Sequence, residues 1–190
     1  MTVEQPLASP GIPNVRVDDR RGGQIAAHHL LAGGHRRIAF IGDPDKVIHV
    51  KDRWEEFCGV LAGSSANVSL VPADLSMTGG VKAAMETFGR PAAEWPDAVF
   101  AANDLVGIGF LQGCLARGVT VPSQVAIVGF DDIDFAAQAA VPLTTIRQPA
   151  REMGIAAAST LLAMINGGVE DEPVAERVFI PSLVVRESAP

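Results

Sequence analysis

Residues 125–149, VAIVGFDDIDFAAQAAVPLTTIRQP, constrain the fold more than any other stretch of this chain. Residues 125–129 are an apolar run too short for a helix and bounded by turn formers, which predicts a strand buried on both faces. Two carboxylates, Asp131 and Asp132, follow directly. In an open α/β sheet the carboxyl ends of the strands open into the ligand crevice, so these acids stand where a polar ligand would be met. The second half rises through residues 143–146 as another strand. It breaks at Gln148-Pro149, where proline suits the first position of a helix.

The rest of the chain alternates in the same way, the pattern of a parallel sheet covered by helices on both sides. Strands are predicted over residues 15–18, 38–41, 68–71, 98–101 and 125–128, and helices over residues 22–31, 52–61, 78–88, 104–117 and 149–166. Within residues 104–117, Leu105, Ile108, Gln112 and Leu115 recur at three- and four-residue spacing, which predicts that this face packs on the sheet. The last helix carries two apolar stripes. One is Met153, Ala157, Leu161 and Met164, the other Ile155, Ala158, Leu162 and Ile165, a pattern that predicts burial on two sides.

A chain of 190 residues, 48% hydrophobic, is long enough for one large or two small lobes. No apolar run approaches the roughly 18 residues that span a bilayer, and MTVEQPLASPG lacks the basic start and apolar core of a signal peptide. A cytoplasmic address with no membrane partner is expected. Cys58 and Cys114 stand in no CxxC or metal-ligand spacing and are expected to be small buried hydrophobes. The net charge is -7, and Arg20-Arg21 and Arg36-Arg37 are the only adjacent basic pairs. There is no basic stripe of the kind that displaces counterions from nucleic-acid phosphates.

Enzyme chemistry finds little support. GIGFLQG, residues 107–113, has glycines like those of a dinucleotide loop, but they fall inside a helix, where a pyrophosphate would find no free amides. His28 and His29 are adjacent on a helix, about 100° apart, and cannot converge on one metal. His35 and His49 have no carboxylate or Cys at ligand spacing, and there is no GxSxG elbow and no P-loop. No enzymatic activity, metal or cofactor is expected.

A series of short tracts is more specific. They are VRVDDRRG at residues 15–22, His29-Leu30, GHRRIAFIG at 34–42, Arg53, PDAVFAAND at 96–104, GVTVP at 118–122, VGFDD at 128–132, PLTTIRQP at 142–149, EMG at 152–154 and LVVRES at 183–188. In this order and at these spacings they resemble the effector-binding core of the LacI/GalR family of bacterial transcription regulators, almost end to end. The resemblance implies an α/β fold of periplasmic-binding-protein-like type I. Such a fold has two Rossmann-like lobes of parallel sheet with helices on both faces, and here the N-terminal lobe is expected to be incomplete. Residues 1–34 and 147–177 are assigned to that partial lobe, and residues 35–146 and 178–190 to the C-terminal lobe. The family carries a helix-turn-helix domain and several more strand-helix units before the position of Met1. Operator DNA would therefore be reached only through a domain absent from this sequence. The partners implied are a small-molecule effector, a sugar or a related molecule, and a second copy of the chain.

The resemblance also carries ligand-binding roles onto single positions. Arg53 matches an Arg that grips the effector's hydroxyls or carboxylate with a planar fork of donors. Glu56-Phe57 follow where a glycine and an aromatic are usual, and a surface Arg near a helix start is the alternative. Asn103 matches a ligand-contacting Asn, yet Asn-Asp before an apolar helix is also what an N-cap requires, and one residue can do both. Asp131 is the foremost candidate, because a carboxylate accepts hydrogen bonds from hydroxyls on two adjacent sugar carbons. Its alternative is to cap the following turn, the role expected of Asp132. Gln148 matches a cleft residue at a crossover between lobes, able to hydrogen-bond the ligand or to bridge strands. Leu75 stands before Ser76, where several members place an aromatic to stack on a sugar or purine; a Leu offers apolar contact without the electron-rich face. Asp18 and Asp19 are weaker candidates, expected as solvated turn residues. Residues 135–141, FAAQAAV, and the preceding helix near Phe110 and Cys114 match the family's subunit interface. An exposed apolar patch marks a partner surface, and pairing it with itself gives a two-fold dimer. The rival reading is a sugar-binding protein of an ABC importer, which shares the fold; the LVVRES and PLTTIRQP tracts favour the regulator.

Overall fold

The computed structural model of the chain describes residues 2–3, 13–166 and 176–190. In chain order its elements are β1 (Thr2–Val3), β2 (Asn14–Val17), α1 (Asp19–Ala32), β3 (Arg37–Ile41), α2 (Ile48–Ala62), β4 (Asn67–Val71) and α3 (Met77–Thr87). These are followed by β5 (Ala98–Ala101), α4 (Asp104–Ala116), β6 (Ala126–Asp131), α5 (Asp134–Ala137), β7 (Thr144–Arg147), α6 (Ala150–Ile165), β8 (Glu176–Phe179) and β9 (Ser182–Val184). The apolar runs form strands where expected, within a residue or two at most ends; β6 extends further and includes Asp131.

Six strands form one sheet in the order β4-β3-β5-β6-β7-β9. All of its pairings are parallel except the last, in which Ile146 of β7 faces Leu183 of the antiparallel β9. Alternate residues of the central strands point to opposite faces. Ile38, Phe40, Ala98, Phe100, Ala126 and Val128 join Ala26, Ala27 and Leu30 of α1 and Val50, Phe57 and Leu61 of α2 in one core cluster. Ala39, Ile41, Val99, Ala101 and Ile127 join α3 and α4 in a second, on the other side. Ser188 closes this sheet between β6 and β7. Its Oγ donates to the Ile127 carbonyl and accepts the Thr144 amide, at 2.6 and 2.8 Å.

A smaller parallel sheet has the order β1-β2-β8, with α6 beside β2. The helix buries Met153, Ala156 and Ala157, while Ile155, Leu161, Leu162, Met164 and Ile165 are exposed. The two-sided burial predicted from its two stripes is therefore absent among the described residues, since only one narrow face meets a neighbour.

Two further expectations need correction. The sequence boundary at residue 34 grouped α1 with the N-terminal lobe, but α1 packs on the six-stranded sheet. Gly22 lies so close to the Phe130 ring that a Cβ there would stand 2.5 Å from Cε2. In α4 only Ile108 of the predicted face is buried. Leu105, Gln112 and Leu115 are exposed, and Val106, Phe110, Leu111 and Cys114 are buried. The helix is sited by its small residues: at Gly109 a Cβ would fall 2.0 Å from the Met77 carbonyl oxygen, so α3 and α4 touch backbone to backbone.

Candidate functional site

The carboxyl ends of β5 and β6 meet the side chain of Arg53, which comes from the second turn of α2. Arg53 is 5% exposed, which removes the alternative of a surface Arg. Its Nε donates to Asp19 Oδ1 at 2.8 Å and its Nη1 to the Ala102 carbonyl at 2.6 Å. The guanidinium carbon stands 3.4 Å from the centre of the Phe130 ring, a stacked cation on an aromatic face. Asp19 was expected in solvent, but it is 6% exposed and paired with Arg53. Burial pushes its carboxyl above the usual range, and the Arg53 charge and hydrogen bond work against that rise. Asp18 is the N-cap of α1, accepting the Arg21 amide at 2.9 Å.

Asn103 follows β5 and caps α4, its Oδ1 accepting the Val106 amide at 2.9 Å. Asp131 and Asp132 have φ angles of 114° and 61°, a region that residues with a Cβ rarely adopt. Asp131 Oδ1 accepts Gln148 Nε2 at 3.0 Å. Gln148 Oε1 is buried and has no hydrogen-bond partner among the described residues. Asp132 does not make the turn cap expected of it but accepts Arg147 Nε at 2.5 Å and Arg186 Nη2 at 2.6 Å. Partial burial would raise its carboxyl, but the two Arg partners hold it below the usual range. Leu75 is partly buried and packs against both core clusters.

Arg53, Asn103 and Asp131 are thus gathered at one edge of the sheet, through Ala102 next to Asn103 and Phe130 next to Asp131, and Gln148 is joined to Asp131. The edge combines a buried cation, a carboxylate and an amide, a set suited to a small ligand rich in hydroxyls. Among the described residues no group of three His, Cys, Asp or Glu is placed to hold a metal, and no helix is long and apolar enough to cross a membrane. Burial pushes the Cys58 thiol up to about 11 and that of Cys114 to about 12, far from thiolate nucleophiles. Sequence reasoning missed Phe130 and Arg186 as supports. Both lie inside quoted tracts, VGFDD and LVVRES, but nothing local to them names their partners.

A separate apolar groove of about 400 Å³ runs between α4 and α5, lined by Met77, Leu105, Ile108, Leu111, Phe135 and Ala139 among others. Phe135 is 68% exposed beside it. Phe110 and Cys114 themselves are fully buried in the core, while their neighbours Ile108, Leu111 and Gln112 line the groove and Leu105 and Leu115 are exposed.

Residues 27–189 match the family described as periplasmic binding protein-like domain. The arabinose metabolism transcriptional repressor of Geobacillus stearothermophilus is 36% identical over 93% of this chain and 49% of its own length. The HTH-type transcriptional regulator CelR of Thermobifida fusca is 38% identical over 97% of this chain and 54% of its own. The chain therefore spans about half the length of these relatives. A LacI family transcriptional regulator from Enterococcus faecalis with bound ribose superposes with a TM-score of 0.88 at 30% identity, covering 98% of this chain and 67% of that one. A transcriptional regulator CelR-cellobiose complex superposes with a TM-score of 0.87 at 34% identity, covering 98% and 57%. Sequence and fold agree that this chain belongs to the periplasmic binding protein-like domain family, in the form found in LacI-family transcriptional regulators.

Proposed function

We propose that this chain is the effector-binding and dimerisation core of a LacI-type DNA-binding transcriptional regulator, and that its effector is a sugar or a related small molecule. The observation that carries this reading is the convergence of Arg53, Asn103 and Asp131 at the carboxyl edge of one sheet, with Gln148 on Asp131. Ribose and cellobiose bound to structural neighbours support the ligand class. In this reading Asp131 accepts hydroxyl hydrogen bonds from adjacent sugar carbons, Gln148 offers its free amide oxygen to a further hydroxyl, and Leu75 supplies an apolar surface. Asn103 serves cap and ligand together, and Arg53 borders the crevice while bound to Asp19.

The six-stranded sheet with α1 to α5 forms the C-terminal lobe, and the three-stranded sheet with α6 belongs to the N-terminal lobe. An effector that binds the closed crevice more tightly shifts the lobes toward it. DNA-binding domains attached to a dimer read that shift as altered spacing, which is a coupling between two sites. The groove beside Phe135 is the dimer face. Calorimetry against ribose, arabinose, cellobiose and a wider sugar panel tests the reading. Binding in the range of about 1 mM that Asp131→Ala abolishes is expected; a panel without any binder, or equal affinity in the variant, overturns it.

A further inference from the structure

Asp104, the first residue of α4, has no exposed surface. Its carboxylate is turned away from its own helix, toward β7 and the turn after β6. Oδ1 accepts Thr145 Oγ1 at 2.6 Å, Oδ2 accepts the Ile133 amide at 3.0 Å, and the Asp132 amide is also bonded to it. Gly129 leaves the room this needs, since a Cβ there would stand 2.2 Å from Asp104 Oδ1. The amides that Asp104 gathers belong to the turn of Asp131 and Asp132, whose positive φ angles cost energy unless the surroundings hold them. Successive amides turned to one side in such a turn form a concavity that attracts an anion. Here the anion is a side chain of the same molecule.

We propose that Asp104 is the positioning residue of the effector crevice: by filling this concavity it holds the turn of Asp131 and Asp132 and so aims the Asp131 carboxylate at the effector's hydroxyls. The second half of this statement rests on Asp131 being an effector ligand. Burial raises the Asp104 carboxyl to about 6, against the lowering effect of its three hydrogen bonds and with a small addition from the Asp132 charge. Asp132 is the charged group that faces it, held in turn by Arg147 and Arg186. β7 brings the neutral Thr145, and Lys82 and Glu86 of α3 line a surface pocket with Asp43 and Asp74.

The test is amide NMR of the whole chain between pH 4 and 8, by rough choice of a range around that midpoint, beside calorimetry with ribose and cellobiose. The Asp132 and Ile133 amide signals are expected to titrate together with a midpoint near pH 6. That titration disappears in Asp104→Asn, which keeps the shape but removes the charge that the amides of the turn surround, and sugar affinity falls by roughly tenfold or more. Should Asp104→Asn fail to fold, Thr145→Val and its conservative counterpart Thr145→Ser take its place. The first is expected to move the midpoint and weaken sugar binding, the second to retain both. Asp131→Asn keeps the amide titration and loses the sugar. Amides that do not titrate with Asp104, or an Asp104→Asn protein with unchanged sugar affinity, overturn the proposal. Unchanged sugar affinity in Asp131→Asn instead overturns the effector role of Asp131 while leaving the amide result to judge the turn.

Discussion

Arg53 and Asp19 form a buried ion pair across 34 positions of sequence, with Nε and Oδ1 2.8 Å apart. Both side chains are less than a tenth exposed, so solvent is a poor replacement for either partner. Asp19→Ala leaves the guanidinium desolvated with only the Ala102 carbonyl and the Phe130 ring, a loss of about 3–5 kcal/mol. Urea unfolding followed by circular dichroism measures it. The double change Asp19→Leu with Arg53→Met is expected to recover most of the stability, because an apolar pair removes both desolvation penalties. A single variant that loses less than about 1 kcal/mol, the range of exposed pairs, speaks against a pair sealed in this way.

Asp104 gives stability a pH dependence of definite sign. Its carboxyl sits at about 6 in the folded chain against an ordinary 3.8, so the folded state holds the proton more tightly than the unfolded state. The contribution is fully present below about pH 4 and is lost as pH rises through 6. Relative to Asp104→Asn, the wild type is expected to gain on the order of 3 kcal/mol between pH 7 and pH 4. Comparing only this difference cancels the other carboxylates. A constant difference across that window contradicts the burial of this group.

Self-association through the groove between α4 and α5 is the next expectation. Phe135 is 68% exposed next to it, and a dimer formed by two-fold pairing would bury it. Sedimentation velocity at roughly tens of micromolar is expected to show a dimer for the wild type. Phe135→Asp and Ala137→Glu are expected to sediment as monomers, since each places a charge in the apolar contact. A monomeric wild type, or dimeric variants, rejects the assignment.

DNA contact is expected to come from outside these residues. With a net charge of -7 and scattered basic residues, the chain has little to exchange for condensed counterions. Fluorescence anisotropy with its own promoter region at physiological salt should give no sequence-selective binding. Submicromolar, salt-sensitive affinity for one sequence is the contrary result.

What was legible in the sequence was local. The run AVFA at residues 98–101 is a strand with all four residues buried, and Asn103 caps the next helix. Asp132, expected to cap the following turn, instead pairs with Arg147 and Arg186, residues too far along the sequence to be read from it. Asp19 was not legible, because the residue that buries it lies on another helix. The face of α4 was misread for a different reason. Periodicity weighs large apolar side chains, whereas this helix is seated by glycines against α3, and that leaves Leu105 and Leu115 outside. The unmatched stripe on α6 was read correctly as apolar, but apolar character alone does not say which neighbour is present.

Ser188 adds a side-chain tie to the direct pairing of β6 and β7, and it is synthesised after both strands. Until it emerges, the Thr144 amide and the Ile127 carbonyl lack the partners they have in the finished fold. A chain made at about 5–20 residues per second therefore leaves these two backbone groups without that oxygen for as long as residues 145–188 take to be added. The last tie between these two strands is thus a late addition, made only after their direct backbone pairing is already possible.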